Sequence, residues 1–414
     1  MRKLYLRRKG SEHAIRNLKF AFLTFAAALL AMGATAIDCE ASSLPDSIYV
    51  TGTRDISIAS KPYIKLVTPD DQAADASTKA DSSYTVTAKL HGLLPIKNIE
   101  VTRIKPEYVE LSGQPVGILL YSDGLVVAGL SPVETSRGSI NPGEQCGLRP
   151  GDIIKEINGT RPEDSQDMLN AVEISDGKPI SLKVLHSNNT VETVSLQPVY
   201  SISDSVWRAG IWIKETSSGL GMLTFVTVDS DTFGGLGHAI CDAESGAQIQ
   251  IYGGDLMSAE LTGVVPGSKG IPGELIGNLG TEKLGTVDVN CELGVFGHYT
   301  SDNTDMRLTR VAMKQELREG YAQILTTLPG DTHPGLYDAY IEHINYDPSA
   351  PTRNMIIRVD DQRVLNKTGG IVQGMSGSPI IQNGELVGAV THVLVNDPTK
   401  GYAIFAENML EAAG

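Results

Sequence analysis

The chain has 414 residues, of which 41% are hydrophobic and 20% are charged. At about 150 residues per domain, this length predicts two or three globular units and excludes one small domain. The 43 glycines and 20 prolines favour strands and turns, and the hydrophobic content excludes a wholly disordered chain. The formal net charge is -15. Because so acidic a chain repels phosphate backbones, we expect no nucleic-acid partner.

The first 19 residues carry seven cations and one acid, and residues 20–37 then form an uncharged apolar run. This run is long enough to cross most of a hydrocarbon core, and the preceding cations favour a cytoplasmic N-terminus. We therefore predict that residues 1–44 are a cytoplasmic basic segment and a signal-anchor helix that export the rest of the chain. The small residues at 34–36 also fit a cleavage site, so removal and retention of the anchor both stay open.

Four cysteines lie far apart, without the short pairs that are typical of zinc sites. We predict no metal site, and we favour small buried thiols over a disulfide, although one disulfide stays an alternative. The four are Cys39, Cys146, Cys241 and Cys291.

Residues 45–104 are predicted to be an N-terminal strand segment with an exposed linker. Strand-like alternation covers residues 45–66 and resumes at residue 84. Between them, residues 68–83 are dominated by Asp, Ala, Ser, Thr and Lys, which cannot bury a core. Exposed polar linkers of this kind are preferred sites of proteolysis.

Residues 105–200 have a compact pattern of predicted strands and turns. Residues 147–152, Gly-Leu-Arg-Pro-Gly-Asp, supply a turn before an apolar strand at 153–157, and Asn158-Gly159 is a strong hairpin signal. A helix is predicted from Asp164 to Val172, with two further strands after it. In this order and wording, residues 105–200 resemble a PDZ domain.

PDZ domains capture an extended peptide by strand addition. The resemblance places that peptide near Val116, Gly117 and Ile118. The alternative is an ordinary small domain that binds no peptide.

Residues 201–414 contain many short apolar stretches separated by Gly, Asp and Asn. This pattern predicts two small antiparallel β-barrels or a sandwich. A helical period is expected at residues 306–319.

The strongest chemical signal is a serine between glycines, in Gly374-Met375-Ser376-Gly377, directly before a predicted strand. Such a tight turn exposes the hydroxyl for attack on a carbonyl and can direct the N–H groups of Gly374 and Ser376 at a developing oxyanion. Ser376 is the predicted nucleophile. Residues 379–382, Asn383-Gly384 and residues 385–392 predict the strand, turn and strand that support it.

A serine needs a base, and histidine is the usual one. Of the eight histidines, His238 lies in a glycine-flanked turn and is the favoured base. His298, with similar flanks, is an alternative. His392 is expected to line the substrate cleft, where Thr391, His392 and Val393 would pair with the substrate backbone.

A carboxylate should orient the histidine ring. Asp361, 15 residues before Ser376, is the favoured acid. Asp360 and Asp242 stay open as alternatives.

The stretches 233–240 and 367–402, together with the PDZ-like part, resemble the stage IV sporulation protein B peptidases of endospore-forming bacteria. The resemblance covers roughly residues 95–414. It implies a mainly β, chymotrypsin-like double-barrel serine endopeptidase that needs no cofactor. By motif, His238 is similar to the family's general base, Asp361 to its orienting acid and Ser376 to its nucleophile.

The resemblance also implies a place and a substrate. The protein would act in the space between the forespore and mother-cell membranes and would cut itself near its N-terminus. It would then cleave a membrane-bound regulator of an intramembrane protease that activates a sigma factor.

One residue departs from the trypsin-like box. Met375 stands where that box has an acid that captures a new N-terminus, so control must come from elsewhere. Two other functions stay open. One is a non-catalytic exported PDZ adaptor. The other is an esterase, which is disfavoured because a strand, not a helix, follows the serine.

Overall fold

The computed structural model describes residues 31–32, 35–51, 56–68, 83–188, 190–242, 246, 248–301 and 306–414. Most of the predicted anchor and of the predicted linker lies outside these ranges. Helix α1 covers residues 35–42. Among the described residues, no helix has both the length and the apolar character needed to cross a membrane.

A first compact unit contains the described residues up to Lys105 together with Asn345–Ser349. Its four-stranded sheet has the order β1-β4-β3-β2, with β1 parallel to β4 and the other pairs antiparallel. One face of the sheet is apolar and buried, as the alternation of residues such as Val86 and Val101 requires. The strands are β1 (Ser47–Thr51), β2 (Ile64–Val67), β3 (Ser83–Leu90) and β4 (Leu94–Ile104).

A second unit, Pro106–Ile344 and Ala350–Gly414, contains two β-barrels and a PDZ-like part. In the first barrel, six strands pair in the ring β6-β16-β17-β18-β15-β14, which the β14–β6 pairing closes. Outside the ring, strand β5 pairs with β14, and β19 pairs with β5. The strands are β5 (Tyr108–Leu111), β6 (Pro115–Leu130), β14 (Ile211–Thr227), β15 (Thr232–Gly235), β16 (Ile251–Val265), β17 (Glu274–Cys291), β18 (Gly294–Tyr299) and β19 (Arg307–Arg310).

The second barrel is closed in the order β20-β21-β22-β25-β24-β23. Helix α4 (Gln362–Thr368) connects β22 to the serine turn, and helix α5 (Ala406–Ala413) follows the last strand. The mainly β fold with barrels is therefore as predicted. The strands are β20 (Gly320–Thr326), β21 (Gly335–Ile344), β22 (Met355–Val359), β23 (Pro379–Gln382), β24 (Glu385–Val393) and β25 (Lys400–Phe405).

The PDZ-like part has its own core, in which Leu148, Ile154 and Leu182 pack against the inner face of helix α3. Asp164 caps this helix by accepting hydrogen bonds from the N–H groups of Gln166 and Asp167, as its position before the helix predicts. The elements are β7 (Val133–Thr135), β8 (Gly138–Ile140), α2 (Pro142–Gln145), β9 (Ile153–Ile157), α3 (Ser165–Ile174), β10 (Ile180–Leu185), β11 (Val191–Leu196), β12 (Val199–Ser201) and β13 (Val206–Arg208).

Two long strands pass through both cores, which changes the predicted boundaries. Strand β6 gives residues 116–120 to the first barrel and residues 125–127 to the PDZ-like core. Strand β14 begins beside the PDZ-like core at Ile211 and ends in the barrel. The PDZ-like part is therefore an insertion within the first barrel. The predicted domain boundary between residues 200 and 201 does not separate the two cores.

The predicted peptide-binding residues Val116, Gly117 and Ile118 lie in the barrel part of β6. Gly117 pairs with Leu220 of β14 on one side and with Met257 of β16 on the other. Val116 and Ile118 are fully buried. Since strand addition needs a free edge, this prediction is corrected: no peptide can add at these residues in this fold.

Two smaller expectations are also corrected. All four cysteines are free thiols, but none is buried: Cys39 and Cys241 are exposed, and Cys146 and Cys291 are half-buried. The helix expected at residues 306–319 is replaced by strand β19 and a short 3-10 turn at Lys314–Glu316.

Candidate active site

A cleft of about 520 Å³ is lined by six of the predicted residues, among them His238, Ser376 and His392. His238 comes from the first barrel, in the turn after β15, whereas Ser376 and His392 come from the second. The cleft therefore needs both barrels. His298, the alternative base, is exposed on β18 and does not line the cleft.

The serine turn is built from two glycines with φ of +90°, Gly374 and Gly377. A Cβ on Gly377 would lie 2.1 Å from the carbonyl oxygen of Met222, so only glycine fits. Strand β14 also holds the turn directly. The N–H of Met222 donates to the carbonyl of Ser376 at 2.8 Å, and the Thr224 hydroxyl donates to the carbonyl of Gly377 at 2.7 Å.

Two amides of the turn are available to an oxyanion. The N–H groups of Met375 and Gly377 donate to Val372 and Val390, respectively. Among the described residues, no acceptor takes the N–H of Gly374 or Ser376, and both residues line the cleft. This pattern supports the two amides predicted as the oxyanion hole.

The Ser376 hydroxyl donates to the carbonyl of Thr391 at 2.7 Å. That carbonyl belongs to β24, whose residues His392 and Val393 pair with β25 on one side. On the other side β23 pairs with β24 no further than Ala389, and Thr391, His392 and Val393 line the cleft. This geometry supports the predicted role of residues 391–393 in binding a substrate backbone.

His238 follows a turn in which Leu236 and Gly237 both have positive φ. Its Nδ1 lies 2.8 Å from the carbonyl oxygen of Ala239. Because a carbonyl only accepts, Nδ1 carries the hydrogen and Nε2 keeps the lone pair, which is the tautomer that a general base needs. Burial lowers the pKa of His238, so the ring is neutral at neutral pH.

The ring of His392 lies 4.6 Å from that of His238, measured between centroids. Burial against the cleft, with smaller contributions from His238 and Arg353, lowers the pKa of His392 to about 4. His392 as a whole is nevertheless exposed to solvent, which limits the size of this pKa shift but not its direction. The cleft therefore holds two neutral imidazoles in contact at neutral pH.

Asp361 lies elsewhere. Its carboxylate caps helix α4, accepts from the backbone N–H groups of Arg363 and Asp338, and pairs with the Arg363 guanidinium at 2.7 Å. These contacts, the Arg363 hydrogen bond first, lower the pKa of Asp361 to about 2. The structure thus does not bring Asp361 to His238, and its assignment as the orienting acid is not supported by the geometry.

The alternative acids also have other partners: Asp360 pairs with Arg358 at 2.9 Å, and Asp242 with Lys214 at 3.8 Å. Within the described part of the chain, the partner of the His238 ring nitrogen is a backbone carbonyl. Sequence reasoning missed this role of Ala239 because a main-chain acceptor has no residue-type signal.

Two family models match the chain. Residues 205–410 match the family described as SpoIVB peptidase S55. The chain belongs to this family. Residues 141–185 match a PDZ domain, within the part that forms the PDZ-like core.

Two solved structures are similar to 22% of this S55-family chain, at 21% and 22% sequence identity. They are the PDZ domains of SdrC-like proteins from Listeria monocytogenes and Listeria innocua. The matches cover 87% and 92% of those chains, with a TM-score of 0.18 in both cases.

We expect Asp361→Ala to lower the stability of the S55 peptidase domain by about 1–2 kcal/mol, because it removes a helix cap and an ion pair with an exposed arginine. Asp361→Asn should lose less stability, because an asparagine side chain can still cap helix α4. The folded pKa of about 2 lies below the ordinary value of 3.8, so the stabilisation is present above pH 4 and is lost as the pH falls towards 2. Thermal unfolding from pH 7 to pH 2 measures both effects. Equal melting temperatures for wild type and Asp361→Ala at pH 7 would contradict the structural role.

On the acid side of its pH profile, kcat/KM should fall with a midpoint below pH 6.5, which is the ordinary pKa of histidine. Burial lowers the pKa of His238, so the ring stays a neutral base until the pH falls through that lower value. The measurement is a pH profile of kcat/KM, with His392→Gln as the control that removes the second titrating ring. An acid limb at pH 7 or above would instead indicate a carboxylate that stabilises the imidazolium.

Proposed function

We propose that the chain is a serine endopeptidase in which Ser376 is the nucleophile and His238 the general base. The observation that carries this proposal is the meeting of both residues in one cleft, beside the two available amides of Gly374 and Ser376. No cofactor is needed for this chemistry.

The reaction starts with a change of hydrogen-bond acceptor. The Ser376 hydroxyl leaves the Thr391 carbonyl, gives its proton to Nε2 of His238 and attacks the peptide carbonyl. The oxyanion accepts hydrogen bonds from the amides of Gly374 and Ser376. The imidazolium of His238 then protonates the leaving amine, and water hydrolyses the acyl-enzyme with His238 again acting as base.

The cleft walls indicate the kind of side chain that the enzyme accepts. Seven of the 17 lining residues are aliphatic, and a peptide paired with residues 391–393 would place a side chain near them. A peptide segment with an aliphatic side chain at the cut is therefore the favoured substrate. The apolar lining residues are Leu220, Leu236, Leu275, Ile371, Val372, Val393 and Val395.

Membership in the S55 family and the signal-anchor pattern support a finer assignment. We place the enzyme in the space between the forespore and mother-cell membranes, held initially by its N-terminal segment. Its substrates are its own N-terminal region and a membrane-bound regulator of an intramembrane protease. Cleavage of that regulator would start the release of an active sigma factor.

The PDZ-like part is proposed to bind a peptide at a different place from the one predicted by sequence. A cavity of about 510 Å³ lies between helix α3, at Met168, Leu169 and Val172, and the start of β14 at Ile211–Ile213. There β14 pairs with β6 on one side, and no described strand pairs with its other side. A strand edge beside an apolar helix face has the two features that peptide capture by strand addition requires.

Ser376→Ala should abolish cleavage of an exported membrane-protein partner and of the chain itself, because no other group replaces the nucleophile. The measurement is incubation of purified wild type and variant, followed by mass spectrometry of the N-termini, with labelling by a fluorescent fluorophosphonate. The wild type should be cut and labelled, and the variant should be neither. If the wild type also stays uncut and unlabelled, the non-catalytic adaptor is the correct function.

Leu169→Glu should weaken peptide binding to the PDZ-like part at least tenfold, because it places a charge in the apolar cavity. Ile174→Glu is the matched control, since Ile174 is on the same helix, is 83% exposed and does not line this cavity. Peptides selected from a random library on the Ser376→Ala protein provide the ligand, and fluorescence anisotropy measures Kd. An equal loss in both variants, or no loss in Leu169→Glu, would contradict this site.

A further inference from the structure

A hairpin arm extends from the first barrel to the serine turn of the second. Strand β16 leaves its pairing with β6 at Ser258, and β16 and β17 continue as a two-stranded hairpin. We call residues 259–279 the hairpin arm. Its far end reaches the segment that leads into the catalytic serine.

Main-chain hydrogen bonds fix the arm to this segment. The N–H of Gly267 donates to the carbonyl of Thr368 at 2.8 Å. The N–H of Gln373 donates to Gly273 at 2.8 Å, and the N–H of Leu275 donates back to Gln373 at 2.9 Å. Gln373 directly precedes Gly374, whose amide is one of the two proposed oxyanion donors. The arm therefore holds the backbone immediately before the first donor.

A side-chain contact holds the backbone between the two donors. Met375 lies between Gly374 and Ser376 and is fully buried. It packs in a cluster with Met222, Val372 and Leu275, the last of which comes from the arm. The fit is close, because a Cβ on Gly374 would lie 3.0 Å from the Cβ of Leu275.

The contacts of Met375 indicate how the serine turn is held without an acid at this position. The trypsin-like box has an acid at the position of Met375 that captures a new N-terminus. Here the same position carries an apolar side chain in an apolar cluster. The restraint on the two amides is therefore packing and main-chain pairing with the arm.

We propose that the hairpin arm is the device that orders the oxyanion hole, with Leu275 as its positioning residue. This inference rests on the proposed serine peptidase function. Leu275 acts through Met375 and Gln373 on the direction of the amides of Gly374 and Ser376. Turnover then depends on docking of the arm and not on a cleaved N-terminus.

The test uses three variants of Leu275 and one matched control in the full chain. Leu275→Ala removes the contact, Leu275→Val shortens it and Leu275→Met keeps its volume. Leu256→Ala is the control, because Leu256 is an equally buried leucine of β16 in the barrel core and is not part of the Met375 cluster. Thermal unfolding identifies a temperature at which each variant is folded.

Activity is measured there with p-nitrophenyl butyrate, for kcat and KM, and by the rate of fluorophosphonate labelling. Loss of one oxyanion donor costs about 10²–10³-fold in kcat, so misdirected donors in Leu275→Ala should cost roughly tenfold or more. Because Leu275 also lines the cleft, KM is expected to rise as well, and the loss of kcat at saturating substrate is the measure of the oxyanion donors. Leu275→Met should restore kcat, Leu275→Val should be intermediate, and Leu256→Ala should keep kcat within threefold of wild type.

Two results would overturn the inference. The first is a folded Leu275→Ala protein whose kcat equals that of the control Leu256→Ala. The second applies if Leu275→Ala does not fold, and it is a kcat in Leu275→Val that equals the wild-type value. Both outcomes leave the peptidase function intact, because the wild type is still labelled and active. Failure of the proposed function itself appears differently, as a wild type that neither reacts nor cleaves.

Discussion

The catalytic arrangement depends on the contact of strand β14 with the serine turn. Met222 and Thr224 of the first barrel bind the carbonyls of Ser376 and Gly377 in the second, and Gly377 leaves no space for a side chain between them. These hydrogen bonds are buried, so breaking them would leave polar groups unpaired at a cost of about 1–3 kcal/mol each. The proposed nucleophile, Ser376, is therefore positioned by the barrel that also supplies His238.

The same strand connects the active site to the PDZ-like part. Strand β14 begins at the proposed peptide cavity, where Ile211 packs against the PDZ-like core, and continues to Met222 beneath the serine turn. Strand β6 runs beside it through both cores. Paired strands are stiff because each displacement must be matched across the hydrogen-bonded ladder. The PDZ-like part is thus a continuation of the catalytic barrel and not a module on a flexible linker.

Much of the site could be predicted from local sequence, and the failures have a common cause. Asn383-Gly384 adopts the positive φ values of a hairpin turn, and the glycines around Ser376 have the conformation that their residue type favours. In contrast, Val116–Ile118 has the pattern of a peptide-binding strand, but two distant strands cover both its edges. Asp361 resembles the family's orienting acid by motif, whereas its partner in the structure, Arg363, is only two residues away. Local patterns specify turns and caps, and long-range pairing decides which edges and carboxylates are free.

In the resting structure, the Ser376 hydroxyl donates its hydrogen bond to the carbonyl of Thr391. The hydroxyl proton points to a backbone carbonyl, and burial keeps His238 neutral with its free nitrogen available. Catalysis requires this proton to exchange one acceptor for another, and the first acceptor lies on the strand that would pair with the substrate. In the proposed mechanism Thr391 is at the edge that would bind the peptide backbone, so substrate pairing and serine activation would compete for the same short segment of β24. The proposed base, oxyanion donors and nucleophile are then already in place, and the orientation of the Ser376 hydroxyl is the remaining step.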